Sequence, residues 1–204
     1  NQIQTGYYTN GAAGTLNGID TRESPIENWN GSRTHYYTRK FIDPNPALAD
    51  NQSSAQVIPW PFIRYTEMVL NYVEACIALS DEAEARNWLN KIRYRAGMPA
   101  ILDAGLVLLD RYRNERRIEL SYEEHRYFDA RRWMIPQTTV GRGIKAINIT
   151  ATLKAGQTAL VPYRHNKTVY NYTYTPVDNT ENETRKWNDK MYYRPIAREE
   201  VNKN

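Results

Sequence analysis

The sequence predicts a mainly α chain of helical hairpins, joined to loop-rich, partly β segments. Three observations predict it. Apolar residues recur at three- and four-residue steps between Tyr65 and Ile92, the period of a helix with one buried face. The stretch from Leu106 to Trp133 contains neither proline nor glycine. On either side, residues 1–60 and 136–204 are interrupted by Gly, Asn, Thr and Pro. This gives three segments: a loop and strand segment (1–60), a helical-hairpin scaffold (61–135), and an irregular, partly β segment (136–204).

In chain order, residues 1–59 read as loop and short strand, with turns at Thr9-Asn10-Gly11 and at Asn28-Trp29-Asn30-Gly31-Ser32. Thr34 to Ile42 is β-prone and stops at the turn Asp43-Pro44-Asn45-Pro46. Pro59 and Pro61 then prepare a helix start. Tyr65, Met68, Val69, Tyr72, Val73 and Cys76 form the apolar stripe of the first helix. Asp81 with Glu84 forms a reciprocal N-cap pair that opens a second helix, whose stripe is Ala85, Trp88, Leu89 and Ile92. Gly97 and Pro99 close it. So short a connection makes the two helices an antiparallel αα-hairpin.

Leu106–Leu120 and Glu123–Trp133 read as a second helical pair, bracketed by Gly105 and Pro136. Two successive hairpins suggest a tetratricopeptide-like stack, with a closed bundle as the alternative. After Pro136, Ile144–Leu153 and Val169–Thr175 alternate as strands do, and Asp178–Asp189 reads as a polar loop. N-x-Ser/Thr sequons stand at Asn30, Asn51, Asn148, Asn166, Asn171 and Asn182; a secreted eukaryotic protein could use them for glycosylation, and chance and surface loops in an Asn- and Thr-rich chain explain them at least as well.

Arg111 to Trp133 alternates arginine with carboxylate and threads aromatics through its second half. On a helix this puts Arg111 beside Glu115, Arg116 beside Glu119, and Asp129 beside Arg132. Two readings fit: a solvated charged face, or arginine forks paired with carboxylates where helices meet. Spacing alone favours the first, and Tyr122, Tyr127, Phe128 and Trp133 pull toward the second, because aromatics seek burial.

Composition narrows the function classes. Of 204 residues, 27 are basic and 23 acidic, a net charge of +4; because the two signs are interspersed with no basic run, nucleic-acid binding is disfavoured. Mean hydropathy is −0.76, and no apolar run is long enough to span a membrane. The one cysteine, Cys76, lies on an apolar helix face, as a buried inert thiol does. His35, His125 and His165 are scattered, so no metal site is expected. Glu115 and Glu119 share a helix face, but arginine neighbours hold carboxylates ionised and spoil a general acid. Ser121 lacks a nucleophile-elbow setting. No catalytic residue and no cofactor are expected.

Four phrases then point one way. Arg64-Tyr65-Thr66-Glu67-Met68-Val69-Leu70-Asn71-Tyr72-Val73-Glu74-Ala75 is similar to R-x-A-E-x-x-L-x-Y-A-E-A. Asn90-Lys91-Ile92-Arg93-Tyr94-Arg95-Ala96-Gly97-Met98-Pro99 resembles N-x-[IV]-R-x-R-A-G-x-P. The stretch from Asn114 to Trp133 is similar to N-E-R-R-x-E-L-x-F-E-G-x-R-x-x-D-x-x-R-W. The last ten residues, Pro195 to Asn204, are close to P-I-P-x-x-E-[IV]-x-x-N. Order and spacing agree, and together the phrases resemble the SusD/RagB family of surface nutrient-binding lipoproteins of Bacteroidetes. The departures are Glu124 at a usual glycine, Ala197 at the second proline, and Thr66 and Val73 at alanines.

The resemblance implies a SusD-like C-terminal portion: tetratricopeptide-like helix pairs with a loop-and-strand subdomain. It further implies a protein exposed on the outer membrane, held by a lipid anchor outside this chain. There it would be a lid over a TonB-dependent, SusC-like β-barrel, capturing oligosaccharide for import. A peptide-binding RagB-like component and a protein-interaction scaffold are the alternatives. The motif residues themselves are then architectural: Arg64, Glu67, Arg93, Arg95, Glu115, Arg116, Glu119, Arg126, Asp129 and Arg132 form a charge network.

Ligand contact needs aromatic platforms on loops, where sugar faces stack on flat rings. Trp29 between Asn28 and Asn30 fits best, since amides beside a ring read hydroxyls; Tyr8 and Trp187 follow. For each, the competing role is a ring that anchors its own loop. Trp88 and Trp133 read as packing residues.

Overall fold

The computed structural model describes residues 3–26, 28–43, 58–179, 185–194 and 196–203. The chain divides into two compact units: residues 58–136, and residues 1–57 together with 137–204. The first and last segments of the sequence reading thus come together in one unit.

The helical unit contains α1 (Tyr65–Ala78), α2 (Glu82–Arg95), α3 (Gly105–Glu119) and α4 (His125–Arg132). A single turn, α5 (Pro136–Thr139), follows at the unit boundary. The α1–α2 turn is short because Ser80 takes a left-handed backbone, φ 63°, and Asp81 caps α2 by accepting the Glu84 N–H at 3.2 Å. Gly97, at φ 69°, closes α2, with the Met98 N–H donating to the Arg93 carbonyl at 2.9 Å, a Schellman-type ending. Leu70, Val73, Leu89, Leu108 and Tyr112 are fully buried and form the core of this unit with Val69, Cys76, Ala85, Ile92, Ile101 and Leu120.

The stripe of α1 differs from its expected composition. Val69, Leu70, Val73 and Cys76 are buried, whereas Tyr65, Met68 and Tyr72 are exposed. The packed face is centred on Leu70 and Val73, so the three larger side chains fall on its flank. The Tyr72 ring meets Trp88 of α2 edge-on, with centroids 6.0 Å apart.

The break between α3 and α4 is made by two left-handed residues, Tyr122 at φ 63° and Glu124 at φ 65°. That conformation costs a residue with a Cβ about 1–2 kcal/mol and costs glycine little. Glycine at this position in the family pattern is therefore a backbone requirement that Glu124 meets under strain. Ala197, at the family's second proline, has φ −57°, which is the proline value.

In the second unit a four-stranded sheet has the order β2-β1-β3-β4, from β1 (Tyr7–Thr9), β2 (Thr15–Asn17), β3 (Ile144–Leu153) and β4 (Tyr170–Asn179). β1 and β2 form a hairpin with Tyr8 opposite Leu16; β1 runs parallel to β3 at Tyr7–Thr150; β3 and β4 are antiparallel, with Ile149 opposite Tyr174. β3 has the span read from the sequence, and β4 extends four residues past Thr175. Ala151, Tyr163, Val169 and Tyr170 form this unit's core. A short helix, α6 (Arg198–Val201), lies near the C-terminus.

Thr34 to Ile42 is not a strand. His35 and Phe41 have positive φ, 60° and 61°, and left-handed residues interrupt an extended run. Its start still covers the edge of β3: the Ile147 N–H donates to the Thr34 carbonyl at 3.1 Å, and His35 Nδ1 lies 2.8 Å from the Ile147 carbonyl. Of the Asp43-Pro44-Asn45-Pro46 turn only Asp43 lies within the described residues. Asn51, Asn182, Pro195 and Asn204 lie outside them.

Glu124 is exposed and its side chain does not cap α4, so relief of its backbone strain decides the effect of substitution. Glu124→Gly is expected to raise stability by about 0.5–1 kcal/mol, net of the extra chain entropy that glycine loses on folding. Denaturant unfolding of both proteins checks this; a fall in midpoint would contradict the assignment of strain.

Candidate binding site

Two arrangements stand out, one in each unit: a set of ion pairs among the helices, and a closed loop that presents Trp29.

The helical set begins with Arg64, the N-cap of α1, whose extended backbone aims its guanidinium at the end of α3. It grips Glu123 with two hydrogen bonds, 2.7 and 2.9 Å, and also donates to the Glu119 carboxylate at 3.1 Å and carbonyl at 2.8 Å. Arg93 of α2 donates to Glu115 at 2.5 Å and to the Pro99 carbonyl at 2.7 Å. Arg95 reaches Glu119 at 2.7 Å. Arg116 bonds Asp129 at 2.7 Å and Asn71 at 2.8 Å, and Asp129 also accepts from Arg132 at 3.0 Å. Glu67 faces His125 at 3.7 Å. Arg126 is half-buried.

Two of the three expected same-helix pairs are replaced. Arg111 pairs with Asp103 at 3.2 Å, and Arg116 turns to Asp129. Glu115 and Glu119 are taken by arginines from other elements. The long guanidinium side chains reach past their own helix turn to carboxylates on other elements, where each makes a charge-assisted hydrogen bond.

The sequence reading missed Glu74, Asn71, Tyr112 and Glu123. Glu67, Asn71 and Glu74 stand at four- and three-residue steps, a polar stripe on α1 that the apolar pattern overshadowed. Glu74 makes the most hydrogen bonds of the three. It accepts from the Tyr112 hydroxyl at 2.7 Å, Trp133 Nε1 at 2.8 Å and Arg132 Nη2 at 2.9 Å, and Arg132 Nη1 also bonds it. Burial alone pushes this carboxyl up, but the hydrogen bonds from Arg132, Trp133 and Tyr112 outweigh it and hold the group at about 2. Burial and the bond to Glu74 push the Tyr112 hydroxyl far up.

A hollow of about 400 Å³ opens beside this set, lined by Glu67, Asn71, Glu74, Arg116 and Arg132. Each of those side chains already has a protein partner. Arg116, Arg132 and Glu74 are engaged with one another's neighbours across the hollow, and the arrangement is chemically a clamp between helices. Among the described residues no group of three or more His, Cys, Asp or Glu is placed to hold a metal.

In the sheet unit, Trp29 lies in a 3-10 turn, Asn28–Asn30, and is 80% exposed. Asn28 beside it is exposed. The loop that carries them is tied down at both ends. On entry, the Gly18 N–H donates to the Gly6 carbonyl at 2.9 Å and the Asp20 N–H to the Gln4 carbonyl at 3.2 Å. On exit, Thr34 and His35 hold the edge of β3, as described above. Between them Gly31 lies hard against the other limb: a Cβ there would come within 2.5 Å of the Thr21 backbone.

Tyr8 and Trp187 have other surroundings. Tyr8 is in β1, half-buried, its ring tilted against Tyr170 at 5.4 Å. Trp187 is half-buried, meets Tyr192 edge-on at 5.1 Å and packs against the Gly141 backbone. Both rings serve packing, and of the three aromatic candidates only Trp29 offers most of its surface to solvent.

The SusD family profile matches residues 5–204. The chain belongs to the SusD family. A crystal structure of a SusD-like protein from Bacteroides fragilis is similar, with a TM-score of 0.68 and 25% identity. The match covers 98% of this chain and 35% of that one, so the chain spans about a third of the length of its solved SusD-like relative. No curated protein matches the sequence. Membership gives the ion pairs a meaning: the SusD phrases of this chain are the residues that lock its helices. Asn90 of the second phrase pairs with both backbone groups of Ile101, at 2.7 and 3.1 Å, and Arg93 and Arg95 supply two of the forks.

Glu74 gives the scaffold an acid sensitivity whose sign is fixed. Its carboxyl lies below its ordinary value of 4.5, so the stability it contributes is present above pH 4.5 and lost as pH falls toward 2. Because the group is partly solvated, that contribution is discounted to about 1–2 kcal/mol. Unfolding free energies measured from pH 5 to 2.5 should fall by that much more in the native protein than in Glu74→Gln. Parallel pH profiles would show that the carboxylate is not held by these bonds.

Proposed function

We propose that the protein is a non-enzymatic, surface-exposed component of a SusCD-like import system that captures oligosaccharide for a TonB-dependent β-barrel. The observation that carries the reading is the family match across residues 5–204. The site is drawn from the loop around Trp29. An indole face stacked on a sugar removes the apolar C–H surface of the sugar from water, and an amide such as that of Asn28 exchanges hydrogen bonds with hydroxyls. Among the described residues no helix is long and apolar enough to cross a membrane; on this reading attachment is through a lipid anchor on the parent protein. Tyr8 and Trp187 are left to packing.

Trp29→Ala should weaken the tightest oligosaccharide of a screening panel about tenfold, by analogy with loss of one stacked base. The melting temperature should move by about 2 °C or less, since the ring is exposed. Titration calorimetry and a thermal melt read the two quantities. Unchanged affinity would remove Trp29 from the site, and preferential binding of peptides would move the reading to a RagB-like component. Co-purification from native membranes with no β-barrel partner would contradict the import role.

A further inference from the structure

The loop around Trp29 holds one group that spans both of its limbs. The Tyr37 hydroxyl donates to the carbonyl of Asp20 on the entry limb. The same oxygen accepts the Ser32 N–H of the exit limb at 3.0 Å. Ser32 is three residues past Trp29, and Asp20 is bonded to Gln4 through both its N–H and its side chain. The hydroxyl therefore ties the segment just after the indole to the segment anchored at the sheet. Nearby bonds reinforce each limb separately: the buried Thr21 hydroxyl donates to the Gly18 carbonyl at 2.6 Å, and the Ser32 hydroxyl lies 3.3 Å from that of Thr34. Within residues 18–37 the Tyr37 pair crosses from limb to limb.

We propose that Tyr37 is a positioning residue for ligand binding: its hydroxyl holds the loop closed so that Trp29 is presented in one orientation before the ligand arrives. The inference rests on Trp29 being the sugar platform. An exposed ring on a loose loop must be ordered on binding, and that cost is subtracted from affinity; a ring already fixed avoids it. Tyr37 is partly exposed, so removing its hydroxyl leaves no fully buried group unpaired and should cost little global stability. Their loss should show in the order of the loop and in affinity, with little change in the melt.

The test compares Tyr37→Phe, Trp29→Ala and the double variant in the full chain. Fluorotryptophan labelling gives each of the five tryptophans its own fluorine resonance, and that of Trp29 is assigned by its loss in Trp29→Phe. In Tyr37→Phe the Trp29 signal should report more motion than in the native protein, while that of Trp133, packed in the helical unit, should not change. Binding is measured with maltoheptaose, cellohexaose, xylohexaose and mannohexaose. For any that binds, Tyr37→Phe should weaken affinity about three- to tenfold. In the Trp29→Ala background it should change affinity less than about twofold, because a group acting through Trp29 has nothing left to position.

Unchanged relaxation of Trp29 in Tyr37→Phe overturns the proposal whether or not any sugar binds. Equal losses with and without the indole overturn it also, because Tyr37 would then act elsewhere. If Trp29→Ala leaves binding intact, the platform reading fails with it, and that outcome is distinct from a Trp29 that matters and a Tyr37 that does not.

Discussion

The helical unit depends on arginine forks that cross from one helix to the carboxylates of another. Four helices of eight to fifteen residues carry modest apolar stripes, and two of them have charged side chains in the core. Apolar burial drives such helices together but does not fix their rotation or register, because hydrophobic contact is non-directional. A guanidinium that must meet a carboxylate in one plane supplies the direction. Arg64 therefore fixes the start of α1 against the end of α3, Arg93 and Arg95 fix α2 against α3, and Arg116 fixes α3 against both α1 and α4. Removing one partner from such a pair leaves a buried charge exposed to the interior, which costs more than the intact pair contributes.

This constraint explains why the family phrases lie where they do. They encode the clamp: Asn90 for the extended segment at Ile101, Arg93 for the Pro99 turn, Glu74 for the meeting of Tyr112, Arg132 and Trp133. The loop around Trp29, on which the proposed recognition rests, belongs to the other unit.

Much of the scaffold was legible in the sequence because it rests on local signals. The cap at Asp81, the ending at Gly97, the α3–α4 pair and the span of β3 follow from residue type and period. What was not legible depends on contacts distant in sequence. The exposed Tyr65, Met68 and Tyr72 fit the helical period, but only the position of α2 decides which side of α1 is covered. Same-helix pairs were the natural reading of Arg111 with Glu115 and Arg116 with Glu119, until partners 8 to 55 residues away were in place. Thr34 to Ile42 has strand-forming side chains, yet left-handed His35 and Phe41 turn it into a loop that seals the edge of β3. For the site, the exposure of Trp29 was foreseeable from its Asn-rich turn. The strand setting of Tyr8, the packing of Trp187 and the bridging hydroxyl of Tyr37 follow from contacts that no local pattern encodes.

The pair that tests this account most directly is Arg116 with Asp129, whose side chains are 5% and 6% exposed. A double-mutant cycle with Arg116→Met and Asp129→Leu, read by denaturant unfolding, isolates their coupling. If inward-facing forks set the way the helices meet, each single variant should lose about 3–5 kcal/mol and the coupling should exceed about 2 kcal/mol. A coupling below about 0.5 kcal/mol, the value of a solvated surface pair, would contradict the claim that these arginines organise the fold.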